Sequence, residues 1–233
     1  MRRATRRPPV PGRARSRFLL HPPGVYRPQD DTALLTEALA EVTVPPGARV
    51  LDVGTGTGAL ALTAARAGAG EVTAADVSRR ALATAWVNAR VRRLPVRLCR
   101  ADVATSPPRG PFDLVLANPP YVPWPGGTRP SHRWDGGDDG RAVLDPLCGV
   151  LPALLSGRGC LLLVQSALSG VDRTVTALAE AELKTAVVAR RRVPFGPVLR
   201  GRAPYLEQRG LIARGEREEE LVVIRADRTR RGG

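Results

Sequence analysis

Lysine is almost missing from this chain: Lys184 is its only one, against 36 Lys and Arg together. Arginine therefore carries the positive charge, which reads as a coding bias as much as a chosen chemistry. Histidine is confined to His21 and His132, and cysteine to Cys99, Cys148 and Cys160, an odd set without CxxC spacing. Such a set excludes a disulfide framework and supplies no zinc site, so no metal is expected and a reducing cytoplasm fits best. Long apolar runs are lacking too. The longest, around Pro146 to Leu155, is about half a membrane span, which excludes a transmembrane helix. What is present is ordinary for a globular domain: 233 residues, 43% of them hydrophobic, enough for one domain with a sizeable core.

The net charge of +14 suggests a nucleic-acid binder until its distribution is considered. Residues 1–17 hold seven arginines and no acid, and residues 225–233 add a net +3, which leaves +4 for the body, 18–224. The first 17 residues are Arg-rich and acid-free like a transit peptide. Pro8, Pro9, Pro11 and Gly12 prevent an amphipathic helix there, so a disordered extension is expected. A secretory signal is excluded, because Phe18-Leu19-Leu20 stops at His21-Pro22-Pro23. The expected division is an Arg/Pro-rich extension (1–17), one folded domain (18–226) and a basic tail (227–233).

No internal repeat is visible, and from Leu34 onwards short apolar strands alternate with helical stretches. Strands are expected at Ala48–Val53, Glu71–Asp76, Val96–Asp102, Phe112–Ala117, Cys160–Val164, Thr185–Ala189 and Leu221–Ile224. Helices are expected after Gly58, from the Ser78 cap to about Arg92, around Ala142–Leu155 and near Val171–Glu182. In the second of these, Leu82, Ala85, Trp86 and Ala89 read as one core-facing side. Strands interleaved with helices of this length predict an α/β fold: a doubly wound, mostly parallel seven-stranded sheet of Rossmann-like class.

Such sheets bind ligands beyond the carboxyl ends of their strands. The first strand ends in Asp52 and the run Gly54-Thr-Gly-Thr-Gly58, the second in Asp76, the third in Asp102 and the fourth in Asn118. One aspartate after a strand is common turn chemistry; four polar ends in succession ask for a ligand. Gly54, Gly56 and Ala59 satisfy the loose dinucleotide fingerprint, with Asp76 placed as a ribose-binding acid. However, a pyrophosphate is repelled by a carboxylate at Asp52. S-adenosylmethionine carries an ammonium and a sulfonium and no phosphate, and is the expected cofactor. In that reading Asp52 and the Gly54, Gly56 and Gly58 backbone hold the methionine half, Asp76 takes the ribose hydroxyls, and Asp102 accepts from the adenine amine.

Asn118-Pro119-Pro120-Tyr121 follows the fourth strand directly. A Pro-rich turn would explain it without function. As chemistry, it suits a planar nitrogen: the Asn118 side-chain oxygen and the Pro119 carbonyl accept two in-plane hydrogens, and Tyr121 stacks on the flat group. Proline fixes the backbone and adds no competing donor. Orientation of nitrogen and methyl group, with acceptors facing the charge that grows on nitrogen, would supply catalysis without a general base. Asn118, Pro119 and Tyr121 are the expected catalytic residues.

With Leu51-Asp-Val-Gly-Thr-Gly-Thr-Gly58, Asp76, Asp102 and Asn118-Pro-Pro-Tyr121, the chain resembles class I methyltransferases of the HemK type. Val25-Tyr26-Arg-Pro-Gln-Asp-Asp-Thr32-Ala-Leu-Leu35, Gly136-Gly-Asp-Asp-Gly-Arg141 and Glu218-Glu-Glu-Leu-Val-Val-Ile-Arg225 resemble segments of its short branch, over roughly 24–226. The resemblance implies methylation of a glutamine amide in a translation release factor, in its Gly-Gly-Gln loop, with Thr32 and Asn118 also touching the cofactor. It further implies that a small activating partner subunit can shield an edge strand. Two departures stand out. Only about 47 residues precede the first strand, too few for the helical recognition domain of the long bacterial form. Arg190–Arg214 is an insertion relative to the shortest relatives, either a cover for the acceptor pocket or a plain surface loop. Trp124, Trp134, Arg129 and Arg133 either grip a peptide or base, or pack on their own domain; Ser131-His132 has no triad context. Two alternatives stay open: an exocyclic amine of DNA or RNA as the acceptor, and a non-catalytic cofactor-binding regulator on the same fold.

Overall fold

The computed structural model describes residues 19–126 and 133–229. The expected extension 1–17, Arg129 and the Ser131-His132 pair lie outside them. Strands β1 (Arg49–Val53), β2 (Glu71–Asp76), β3 (Arg97–Arg100), β4 (Phe112–Ala117), β5 (Leu155–Ser166), β6 (Leu183–Pro194) and β7 (Glu218–Arg228) form one sheet in the order β3-β2-β1-β4-β5-β7-β6. All neighbours pair in parallel except β7, which runs antiparallel to both β5 and β6. This is the expected doubly wound sheet. Leu161, Leu162, Leu163 and Val164 of β5 are wholly buried, as the middle of a sheet covered on both faces requires.

The helices are α1 (Asp30–Ala40), α2 (Ala59–Arg66), α3 (Arg79–Val91), α4 (Leu144–Leu154), α5 (Val171–Glu180) and α6 (Pro197–Gln208). Right-handed crossovers send the chain outwards from β1 to β3, then back to β4 and outwards the other way. The order therefore reverses between β1 and β4, and their carboxyl ends open the crevice. Helix α1, which precedes the sheet, packs over β5, β6 and β7 and meets α2. Its first turn is thereby carried to the rim of β4 and β5.

Helix α3 starts where expected, with the Ser78 hydroxyl accepting from the Ala81 amide at 3.3 Å. Its buried stripe is Ala81, Leu82, Thr84, Ala85, Asn88 and Ala89, a regular 3,4 spacing. Trp86 does not belong to it, contrary to expectation: the indole is 52% exposed, with the Arg90 guanidinium 5.7 Å above its ring. Position 86 falls just past the Leu82 edge of that stripe, on its solvent side.

Strands β5, β6 and β7 are longer than their apolar runs. β6 and β7 pair from Leu183↔Arg228 to Pro194↔Glu218, far beyond Thr185–Ala189 and Leu221–Ile224. Their outer thirds are charged because one face meets water there, and backbone pairing alone extends them. As a result Arg190–Pro194, expected at the start of an inserted loop, is strand, and α6 follows it.

Candidate active site

The glycine-rich loop after β1 is built around Asp52. Its carboxylate is wholly buried; Oδ2 accepts from the Thr55 hydroxyl at 2.6 Å and from the Ala61 amide at 3.0 Å. Those bonds curl the loop into the start of α2. Gly54, Gly56 and Gly58 take φ of +68°, +53° and +84°, a region where side chains are strained. The second oxygen, Oδ1, is buried without a hydrogen-bond partner. Burial pushes the Asp52 carboxyl up to about 6, offset in part by the bonds from Thr55 and Ala61.

Asp76 ends β2 and faces the same loop. It accepts from the Gly56 amide at 3.0 Å and from the Ser78 amide at 2.8 Å. Burial raises its carboxyl above the ordinary range, against those bonds. Asp102 is exposed and accepts from the Ala104 amide at 3.1 Å, within its own turn. Thus Asp52, the glycines and Asp76 are joined through one loop, whereas Asp102 stands on the rim beside them without a bond to the others.

On the other side of the switch point, Asn118 donates from Nδ2 to the Thr32 hydroxyl at 3.2 Å. Thr32 donates in turn to Asp31 Oδ1, from its hydroxyl at 3.1 Å and its amide at 2.5 Å. Asp31 Oδ2 accepts from the Tyr26 hydroxyl at 2.6 Å and the Tyr121 hydroxyl at 3.0 Å. Burial, then the Asp31 charge, holds both phenols well above their ordinary range, so both stay donors. Tyr121 is tied at its backbone too, its carbonyl accepting from the Ser169 hydroxyl at 2.7 Å. Gly140 closes over that carbonyl, with φ +79° and no room for a Cβ against Tyr121. Pro119 is buried between these anchors.

Sequence reasoning missed several members of this cluster. Asp31, the acceptor for two tyrosines and Thr32, stands within the segment Val25–Leu35, where nothing in the sequence distinguishes it from Asp30. Glu219, at the start of antiparallel β7, lies at the same rim because β7 runs against its neighbours. Burial pushes its carboxyl up to about 7, helped by the Asp31 and Asp30 charges and opposed by the Ser166 hydroxyl, and its Oε2 is buried without a hydrogen-bond partner. Arg141, buried at the end of the acceptor loop, donates to the Ser169 carbonyl at 2.8 Å and the Thr174 hydroxyl at 2.6 Å. No spacing rule would have found these, since each is brought to the rim by the packing of elements distant in sequence.

The aromatic residues of the acceptor loop pack on their own domain. Trp134 meets Tyr26 edge-on at 6.4 Å under the Arg133 guanidinium, and Trp124 meets Tyr205 at 5.4 Å. Among the described residues no cluster of His, Cys, Asp and Glu could hold a metal. Cys99, Cys148 and Cys160 are free thiols. No described helix is long and apolar enough to cross a membrane. The groove between α4 and α5, lined by Asp145, Cys148, Asp172 and Arg173, contains none of the rim residues.

Comparison with known proteins identifies the family. A family model described as "Methyltransferase small domain" matches residues 18–124. The chain is 33% identical over 180 residues to a Methanocaldococcus jannaschii protein described as a protein N5-glutamine methyltransferase, covering 76% of this chain and 89% of that one. It is 38% identical over 194 residues to the release factor glutamine methyltransferase of Deinococcus radiodurans, covering 79% of this chain and 66% of that one. Among solved structures, the E. cuniculi Mtq2–Trm112 complex, responsible for methylation of the eRF1 translation termination factor, superposes with a TM-score of 0.63. Its identity is 25%, over 88% of this chain and 99% of that one. A T. thermophilus 16S rRNA N2 G1207 methyltransferase shares the fold at a TM-score of 0.58 and 23% identity, over 91% of this chain and 46% of that one. With a seven-stranded sheet, a glycine loop facing Asp76 and a tethered Asn-Pro-Pro-Tyr, the chain belongs to the HemK-type class I methyltransferases, in the protein N5-glutamine methyltransferase family.

Proposed function

We propose that this protein transfers a methyl group from S-adenosylmethionine to the side-chain amide nitrogen of a glutamine, in a translation release factor. The observation that carries the reading is the Asn118 amide. One N–H of its Nδ2 is held by Thr32, which fixes the amide's orientation and leaves Oδ1 as the end that meets an acceptor. An amide offers two in-plane hydrogens, and Asn118 Oδ1 and the Pro119 carbonyl are two acceptors placed side by side by the chain. They hold the nitrogen with its lone pair out of that plane, and they stabilise the positive charge that develops there. The proton that nitrogen finally sheds can leave to water, so no histidine is required. Tyr121, fixed at its hydroxyl and its carbonyl, presents a ring that needs no reordering when the acceptor enters.

The cofactor side suits a cation. Asp52 Oδ1 is a buried carboxylate oxygen lacking a partner, at the mouth of a loop that carries no basic side chain. S-adenosylmethionine supplies the electrophilic methyl group; Asp52 and the Gly54–Gly58 backbone would hold its methionine half. Asp76, whose two oxygens retain free lone pairs, would take the ribose hydroxyls. Asp102, exposed beyond β3, would reach the adenine amine, and Thr32 would border the methyl group beside Asn118. A small partner subunit has a place at β3, an edge of the sheet, whose outer backbone groups no other strand among the described residues covers. Three free thiols suit a reducing cytoplasm.

The deciding experiment incubates the pure protein and radiolabelled cofactor with cell extract, then treats portions with nuclease or protease. Label that survives nuclease, is lost to protease and maps to a glutamine in a release factor is the expected result. Label in DNA or RNA instead would transfer the same Asn-Pro-Pro-Tyr chemistry to a base amine and overturn the protein substrate.

A further inference from the structure

Helix α6 reaches across to the acceptor loop and holds both of its arms. On the outgoing arm, Trp124 receives the Tyr205 ring at 5.4 Å and the Arg202 guanidinium at 4.8 Å from its own ring. On the returning arm, Arg202 pairs through Nη2 with the Asp135 carboxylate, and the Tyr205 hydroxyl donates to the Asp138 carbonyl at 3.1 Å. The two arms are themselves joined: the Val122 amide donates to Trp134 at 2.8 Å, Gly136 to Val122 at 2.9 Å, and Trp124 to Gly137 at 2.7 Å. Val122 is four residues beyond Asn118. The clamp therefore acts on the peptide that leaves the catalytic tetrapeptide.

Burial separates this contact from ordinary surface pairing. The side chains of Arg202 and Asp135 are 11% and 9% exposed, whereas those of Arg173 and Asp139 nearby are 57% and 50% exposed. A solvated pair contributes little; a desolvated one leaves an uncompensated charge when either partner is removed. The helix has firm footing as well, since Leu199, Ala203 and Leu206 are buried in the domain core. An inserted surface loop with no role would not need a buried arginine aimed at a loop 67 residues away in sequence.

We infer that α6 is the acceptor-side clamp of this enzyme, with Arg202 and Tyr205 as positioning residues that set the loop on which the substrate protein is received. The inference rests on the proposed protein-glutamine reading for its kinetic consequence, and on the geometry alone for its structural one. Neither residue touches Asn118, Asp52 or Asp76, so cofactor binding is independent of the clamp.

Two measurements test it on the full-length protein. In hydrogen exchange, Arg202→Ala is expected to raise exchange at least tenfold at the Val122, Trp124 and Gly136 amides, leaving β1, β4 and β5 protected as before. In steady-state kinetics with a methyl-accepting release factor, Arg202→Ala and Asp135→Asn should each raise KM about tenfold. Cofactor Kd should stay within twofold and kcat within threefold. The double variant should be no worse than Arg202→Ala alone, because the Arg202–Asp135 pair is lost in both, and Arg202→Lys should recover part of the loss. If Arg202→Ala does not fold, Tyr205→Phe tests the same clamp through the Asp138 contact alone, with a smaller rise in exchange at Gly136 and Gly137. Unchanged exchange in the loop, or additive KM effects, would overturn the clamp. Should the wild type bind cofactor yet methylate no protein, the substrate reading fails, and the exchange measurement still decides the clamp.

Discussion

The Thr32 hydroxyl accepts the Asn118 side-chain N–H at 3.2 Å, across 86 positions of sequence. A helix that precedes the sheet thereby orients an amide at the end of its fourth strand. Because Thr32 passes its own proton to Asp31, its oxygen is free only as an acceptor, and Asn118 must offer Nδ2 to it and Oδ1 to the crevice.

From this follows a separation of binding and turnover. Asn118→Ala should cut kcat by about 100-fold, the scale of losing one preorganised transition-state hydrogen bond. Thr32→Val, which leaves the amide free to rotate, should cut it by about tenfold. Calorimetry should find cofactor affinity nearly intact in the alanine variant; equal turnover of that variant and the wild type would remove Asn118 from the chemistry.

Asp76 has a different signature. It organises the glycine loop through Gly56 and Ser78, and is the proposed partner of the ribose. Asp76→Ala should weaken S-adenosylmethionine about 10- to 100-fold, the range for hydrogen bonds to a charged group. Titration of the pure protein measures this directly, and wild-type affinity in the variant contradicts the cofactor site.

The Asp52 carboxyl, pushed up to about 6 by burial, makes cofactor binding pH-dependent. A bound cation favours the ionised form, so binding near or below pH 6 must expel a proton. Affinity should rise as pH climbs through about 6 and level off above it. Calorimetry at pH 5.5 in two buffers of different ionisation heat should register proton release; identical heats in both would show that Asp52 does not face the cation.

Glu219 supplies a stability test. Its carboxyl is raised to about 7 by burial and by Asp31 and Asp30, above the ordinary 4.5 of a glutamate. The folded state therefore holds this proton more tightly than the unfolded chain. The stability it contributes is fully present below about 4.5 and is lost as pH rises through about 7. Glu219→Gln, which keeps the side chain's size and removes its titration, should flatten that decline and gain up to about 2–3 kcal/mol at pH 8 relative to pH 5. Denaturant unfolding at the two pH values checks it; parallel pH profiles for both proteins would be the contrary result.

The charge pattern of the sequence already outlined the proposed cofactor side. Asp52, Asp76 and Asp102 follow apolar strands directly, and in a parallel sheet every such end lies on one rim, so backbone periodicity and chain order suffice to gather them. The fold class and the acceptor tetrapeptide were legible for the same reason, each being local. Strand lengths were not, because β6 and β7 stabilise one another through backbone pairing that charged residues conceal. Nor was the exposure of Trp86, which depends on where the edge of the buried stripe of α3 falls. Only tertiary structure could bring Asp31 under Tyr26 and Tyr121, Glu219 to the rim, or Arg202 onto Asp135. Those contacts join residues whose separation along the chain carries no periodic signal, and burial alone gives their charges and hydrogen bonds their strength.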